Sequence, residues 1–172
     1  MAERADYVVP FRRKGEGKTN YKKRLNLLKS GATRLVVRPS NKHMVVQLVD
    51  YKKKGDVITS TACSKELKKF GWDFSTSNLP AAYLTGLLCG FRSQKKGVKM
   101  AILDLGLFPS VKGSRSYAAL KGAIDSGLKI HAEENVFPDE KRISGGHISN
   151  KDEDITEKFE EIKKKIVRAF KK

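Results

Sequence analysis

The sequence predicts an α/β fold, a mixed sheet with packed helices: an antiparallel three-stranded meander, a parallel strand and a short edge strand. Three observations carry that reading. Residues 34–62 hold three β-branched runs separated by turn residues, residues 79–94 switch to helical spacing, and a compact apolar run, 100–104, follows that helix. Short turns join antiparallel neighbours, whereas a strand reached through a helical crossover lies parallel in the sheet.

The elements follow in order. Residues 1–18 contain Arg12-Arg13-Lys14-Gly15-Glu16-Gly17-Lys18 and almost no apolar residues after Phe11, which predicts an extended basic arm that orders on its partner. Thr19 or Asn20 can cap a helix over 20–30, with Tyr21, Leu25 and Leu28 on one apolar face and Gly31 as its stop. Strands are expected at Arg34–Arg38, His43–Tyr51 and Val57–Ala62, with turns at Pro39-Ser40-Asn41 and across residues 52–56. From Leu79 to Gln94, Leu84, Leu87, Leu88 and Phe91 recur at helical spacing, and Pro80 suits a first turn. The strand Met100–Asp104 comes next, then a helix over 116–126 with Tyr117, Leu120 and Ile124 inward, and a brief edge strand at Leu128–Ile130. From Asp152, Ile155, Phe159, Ile162, Ile166 and Phe170 form an apolar stripe, with acids (Asp152, Glu153, Asp154, Glu157) early and bases late, the order the helix dipole favours. The stripe is expected to pack on this same domain; docking on a partner protein is the alternative. The organisation is thus an arm (1–18), an α/β domain (19–150) and an amphipathic helix (151–172).

Charge points to the partner. Thirty-six Lys and Arg against 19 Asp and Glu give +17 over 172 residues. Such an excess repels itself on a small fold unless a polyanion neutralises it. Residues 1–54 carry 15 basic and 4 acidic side chains, and six of the ten arginines fall in the first 38 positions. Arg forks onto phosphate and stacks on bases, so the N-terminal third is the expected anion-binding surface. Cys63 and Cys89 lie far apart with no ligand spacing around them, which predicts buried free thiols in a reducing cytosol. No apolar run is long enough for a bilayer, and residues 1–4 do not start a signal peptide, so a cytoplasmic protein without a membrane partner is expected.

Catalytic readings fare poorly. Gly17-Lys18-Thr19 invites comparison with a phosphate-cradling loop, but Arg12 stands where its first glycine belongs and no hydrophobic strand precedes it. What survives is an anion place at a helix N-terminus beside Lys18 and Thr19. His43, His131 and His147 have no triad or ligand partner at a recognisable spacing. Asp104 closes an apolar strand, where a turn role is favoured over a catalytic one. A metal-dependent nuclease of the ribonuclease-H type needs carboxylates on its first strand, where this chain has Arg34 and Arg38, which would repel the metal. Neither enzyme, cofactor, metal nor small-molecule substrate is expected. Lys112-Gly113-Ser114-Arg115-Ser116 is a second anion candidate, in which Ser114 or Ser116 can also act as an N-cap. The small residues Ala118, Ala119, Gly122 and Ala123 permit close packing against strands or an RNA backbone, packing being favoured. Tyr7, Phe11 and Tyr21, interleaved with the basic arm, suit stacking on unpaired bases; for Tyr21 core packing is an equal alternative.

Several blocks then occur in order: Phe11-Arg-Arg-Lys-Gly-Glu-Gly-Lys-Thr-Asn-Tyr21, Arg34-Leu-Val-Val-Arg38, Lys69-Phe-Gly-Trp72, Pro80-Ala-Ala-Tyr-Leu-Thr-Gly86, Val111-Lys-Gly-Ser-Arg115 and Ala118-Ala-Leu-Lys-Gly122. Together they closely resemble the archaeal form of the large-subunit ribosomal proteins that bind 5S ribosomal RNA (the L-eighteen family, whose eukaryotic relative is called L-five), over residues 5–150. The resemblance implies a domain topologically related to ribonuclease H, an N-terminal extension lying on RNA, and a place in the central protuberance. The implied partners are 5S rRNA, large-subunit rRNA and neighbouring ribosomal proteins. Carried onto this chain, the RNA-facing residues would be Arg12, Arg13, Lys14, Lys18, Thr19, Asn20, Tyr21 and Arg24. The exposed end of the meander (Arg38, Asn41, Lys42, His43) and the loop residues Lys112, Ser114 and Arg115 would join them.

Overall fold

A computed structural model describes residues 8–148 and 154–170. Arg4, Tyr7 and the early acids Asp152 and Glu153 lie outside the described residues, as does the end of the expected C-terminal helix at Lys171 and Lys172. The elements run α1 (Arg12–Gly15), α2 (Tyr21–Leu28), β1 (Arg34–Pro39), β2 (Met44–Lys52), β3 (Gly55–Cys63), α3 (Leu79–Gln94), β4 (Ile102–Asp104), α4 (Arg115–Asp125), α5 (Glu140–Ile143) and α6 (Asp154–Phe170), with 3-10 turns at Ser64–Phe70 and Glu134–Val136.

The four strands lie in the order β3-β2-β1-β4. The meander pairs antiparallel and β4 runs parallel to β1, a mixed sheet compatible with a ribonuclease-H-like topology. The β2–β3 turn is tighter than residues 52–56: pairing continues to Lys52 opposite Gly55, leaving only Lys53 and Lys54 in the loop. The edge strand expected at Leu128–Ile130 reduces to one bridge, Met100 opposite Lys129. Its two hydrogen bonds, Lys129 N to Lys99 O and Ala101 N to Lys129 O, both involve Lys129.

Strand alternation divides the sheet into two unlike faces. Leu35 and Val37 of β1 and Val46 and Leu48 of β2 are fully buried beneath helices. Asn78 caps α3, its side-chain oxygen accepting from Ala81 N at 3.0 Å, with Pro80 in the first turn. That helix is buried nearly all round, as expected of one hydrophobic on every side. One flank meets the sheet, another α4 and a third α6.

The small residues of α4 serve this packing. A Cβ on Gly122 would overlap the Tyr83 carbonyl of α3, and one on Gly86 would overlap the Ala119 carbonyl. They admit a neighbouring helix, and RNA has no access to them. The stripe of α6 packs on the same domain: Ile155, Phe159, Ile162 and Ile166 are buried, Phe159 lies 5.5 Å from the Tyr83 ring, and Phe170 stacks on Phe91. On its outer side Lys165 and Lys158 hold the Glu161 carboxyl down to about 2. Trp72, fully buried, follows a 3-10 turn that the sequence reading left unassigned, and its Nε1 donates to Ser75 O at 3.0 Å. Both cysteines are free; Cys89 is buried, and burial pushes its thiol up to about 11, while Cys63 at the end of β3 is only half-buried.

Candidate nucleic-acid interface

The second face of the sheet is open. Arg34, Val36 and Arg38 alternate along β1 and point to it, and register places Asp104 of β4 beside Val36, between the two arginines. Both reach it. Arg34 Nη1 donates to Asp104 Oδ2 at 2.8 Å, and Arg38 Nη1 donates to the Asp104 carbonyl at 2.8 Å. A weaker contact at 3.4 Å joins Arg38 Nη2 to Asp104 Oδ1, which also accepts from Gly106 N at 2.8 Å. The turn role expected of Asp104 is therefore real, and it is combined with a buried ion pair.

The network extends to the N-terminal segment. Arg34 Nη2 donates to Asp56 Oδ2 at 2.8 Å, and Arg24 of α2 forks onto the same carboxylate at 2.8 and 2.9 Å. Burial alone would push the Asp56 carboxyl up, but the bonds from Arg34 and Arg24 outweigh it and hold the group below its ordinary 3.8. A depressed carboxyl stabilises the fold fully above its unfolded value and loses that contribution as pH falls through its folded value. Asp56→Asn is thus expected to lower the melting temperature near pH 7, and the gap from the parent should close as pH drops below 3.8. Thermal melts from pH 7 to pH 2.5 check this; a gap independent of pH would show that Asp56 acts otherwise.

The arm departs from an extended strand. Residues 12–15 form one helical turn, and Lys18 N and Thr19 N both return to the Arg13 carbonyl, with Gly17 at φ 64° making the reversal. Only glycine takes that left-handed backbone without strain. Glu16 bridges Lys18 at 2.9 Å and Arg12 at 2.8 Å, which lowers its carboxyl pKa, and Arg13 Nε donates to Thr19 Oγ1 at 2.9 Å. The segment 11–19 is a hook held by local bonds. Asn20, not Thr19, caps α2, accepting from Lys23 N at 3.0 Å. The apolar face foreseen on α2 is only partly covered: Leu28 is half-buried, but Leu25 is 56% exposed. Tyr21 lies outside the core as well, its ring 5.2 Å from that of Phe11.

The hook, α2 and the open sheet face enclose a groove of about 740 Å³. Six basic and two acidic side chains line it: Arg13, Lys18, Lys23, Arg24, Arg34 and Arg38 against Asp56 and Asp104. Of the residues singled out in the arm and α2, Arg13, Lys18, Thr19, Asn20 and Arg24 therefore meet in one place with Arg38. Arg12 and Lys14 are exposed on the hook, outside the groove. The sequence reading missed Lys23, Gln47, Phe108 and Ser110 as lining residues. Gln47 alone left a trace, as the polar interruption of the apolar run 44–49.

The other two candidate groups converge on each other. Ser40 closes the β1–β2 turn by bonding both backbone groups of His43, leaving Asn41 and Lys42 exposed at the tip. The Thr76 hydroxyl donates to the Lys42 carbonyl at 2.7 Å, so it accepts from His43 Nδ1 at 3.0 Å. Arg115 ties the 112–115 loop to this turn, its Nη1 donating to Ser77 O at 2.9 Å and Ser40 O at 3.2 Å. Lys112 is exposed beside it. Ser114 occupies the N-cap of α4, yet its buried hydroxyl caps nothing and finds no partner among the described residues. Arg38 and Arg115, foreseen as surface contacts alone, both have internal work. Arg115→Ala is expected to cost about 1–2 kcal/mol, or roughly 2–8 °C in melting temperature. An unchanged melt would return it to a purely external role.

No group of three or more His, Cys, Asp or Glu among the described residues could hold a metal ion. A family model described as "Ribosomal large subunit proteins 60S L5, and 50S L18" matches residues 5–100. The large ribosomal subunit protein uL18 of Korarchaeum cryptofilum is 52% identical over 161 residues, covering 94% of this chain and 80% of that protein. The uL18 proteins of Methanobrevibacter smithii and Methanothermobacter thermautotrophicus are 51% identical over 150 residues and 46% over 166, covering 87% and 96% of this chain and 78% and 85% of their own lengths. A basic groove on a mixed α/β sheet, in a chain this similar to them, has one consistent meaning: the protein belongs to this family of ribosomal proteins, non-enzymatic structural components of the large subunit.

Proposed function

We propose that this protein binds 5S rRNA and helps attach it to the large-subunit rRNA in the central protuberance, beside neighbouring ribosomal proteins. The observation that carries the reading is the groove, where a rigid sheet and the hook gather Arg13, Lys18, Lys23 and Arg38 around a floor whose Arg34 and Arg24 are paired with Asp104 and Asp56. Phosphate contacts made by Lys and Arg supply affinity through counterion release, and the fixed scaffold selects among RNA shapes. Arg12, Arg13, Lys14, Lys18, Thr19, Asn20, Tyr21 and Arg24 form the first contact group. Arg38 lines the groove with Arg13, Lys18, Thr19, Asn20 and Arg24, and the turn residues Asn41, Lys42 and His43 with the loop residues Lys112, Ser114 and Arg115 form the second, joined through Arg115.

A competition experiment tests it. With labelled 5S rRNA bound at fixed salt, unlabelled 5S rRNA should displace the label at concentrations at least tenfold lower than an unrelated structured RNA of equal length. Equal displacement by the two RNAs would identify a general nucleic-acid binder.

A further inference from the structure

The groove has two chemically different parts, and phosphate binding uses only the rim. Its floor is apolar: Val36 of β1 and Val49 of β2, each more than nine-tenths buried, with Ile58 of β3 beside Val49 and 53% exposed. Phe108, on the loop after β4, stands at the wall with 41% of its surface open. In the same groove, the Arg38 guanidinium is pinned by the Val37 and Asp104 carbonyls and packs over Gly106, where a Cβ would sit 3.0 Å from its central carbon. Arg38 is thus a planar cation of fixed orientation lining the same groove as an open aromatic ring.

A duplex fits the rim and wastes the floor. Double-stranded RNA presents phosphates and 2′-hydroxyls outward and keeps its base faces stacked inside, so valine, isoleucine and phenylalanine would gain no partner from it. An unstacked base has the complementary make-up: two apolar faces, a polar edge and a phosphate on either side. We infer that the groove seats a single unstacked RNA base, with Phe108 and Arg38 as its stacking wall. Lys18 and Lys23 at the rim meet the flanking phosphates. Gln47, whose side-chain amide makes one long hydrogen bond of 3.4 Å to Thr61, faces the base's polar edge. A volume of 740 Å³ falls within the roughly 300–1,000 Å³ of sites that engulf a small organic ligand. This deepens the 5S rRNA reading and rests on it for the identity of the RNA, though not for the presence of a base seat.

Two probes and two variants test the seat on the full chain. Phe108→Leu keeps apolar bulk without a ring, and Phe108→Tyr keeps the ring; the site is open, so neither should move the melting temperature by more than a degree or two. The probes are 5S rRNA and a single-stranded heptanucleotide with a central 2-aminopurine, whose fluorescence falls when it stacks on an aromatic ring. Phe108→Leu is expected to weaken 5S rRNA binding about ten- to hundredfold at every salt concentration, with the log–log salt slope unchanged, and to abolish the quench; Phe108→Tyr should preserve both. Parent-like affinity and parent-like quench in Phe108→Leu would overturn the base seat. A Phe108-dependent quench without preference for 5S rRNA in the parent would uphold the seat and remove the assignment to 5S rRNA.

Discussion

Asp104→Ala is expected to destabilise the fold by about 3–5 kcal/mol. The reason is what it leaves behind. Arg34 retains its charge with its side chain 4% exposed, and its Nε already lacks a partner. Asp56 reaches only the other side of the guanidinium, and Arg24 competes for the same carboxylate. Arg38 loses its weaker contact and Gly106 N its acceptor, so the turn after β4 loosens too. At roughly 2–4 °C per kcal/mol for a chain of this size, the melting temperature should fall by about 6–20 °C. Replacing Arg34 and Asp104 together by Met and Leu should recover much of the loss, because an apolar pair removes the stranded charge. A single Asp104→Ala variant losing less than about 1 kcal/mol in urea titrations would show that Arg34 finds water.

The second large effect concerns RNA. Neutralising Arg12, Arg13, Lys14 and Lys18 together is expected to reduce the log–log salt slope of 5S rRNA binding by up to about 3–4 units, at up to about 0.9 per phosphate released. Between 50 and 200 mM salt the variant should lose about a hundredfold less affinity than the parent. All four sit on the hook and none is buried, so the melt should hardly change. Filter binding at four salt concentrations gives the slope directly. An unchanged slope would mean that the hook faces solvent in the complex, and the proposed surface would have to be moved elsewhere.

These residues also show what could be read from the chain alone. Local signals sufficed wherever one physical rule dominated: helical spacing with Pro80 placed α3 at Leu79–Gln94, and β-branched runs placed the meander within a residue or two. Charge density at the amino end marked the groove's rim. The rest depended on pairing across distance. Arg34 and Asp104 are 70 positions apart, so nothing local shows that an arginine counted as surface charge is consumed by a buried carboxylate. Arg38 and Arg115 were legible as cations but not as ties to carbonyls of other loops. The hook escaped notice because its reversal rests on Gly17 and on bonds to one carbonyl, that of Arg13, while its composition resembles a disordered tail. The α2 stripe erred the other way: Leu25 has the right spacing for burial, but no element of the described residues covers it.

The seat of α6 has a consequence for how the molecule comes into being. Segment 154–170 leaves the peptidyl-transferase exit after everything it covers, and until then the outer flank of α3, with Tyr83 and Phe91, has no lid. A nascent chain released up to residue 150 therefore carries a finished sheet beneath an uncovered greasy strip, the kind of transient surface that chaperones shield and that aggregates when they fail. Protein cut before residue 154 is therefore expected to aggregate more readily than the chain that carries α6.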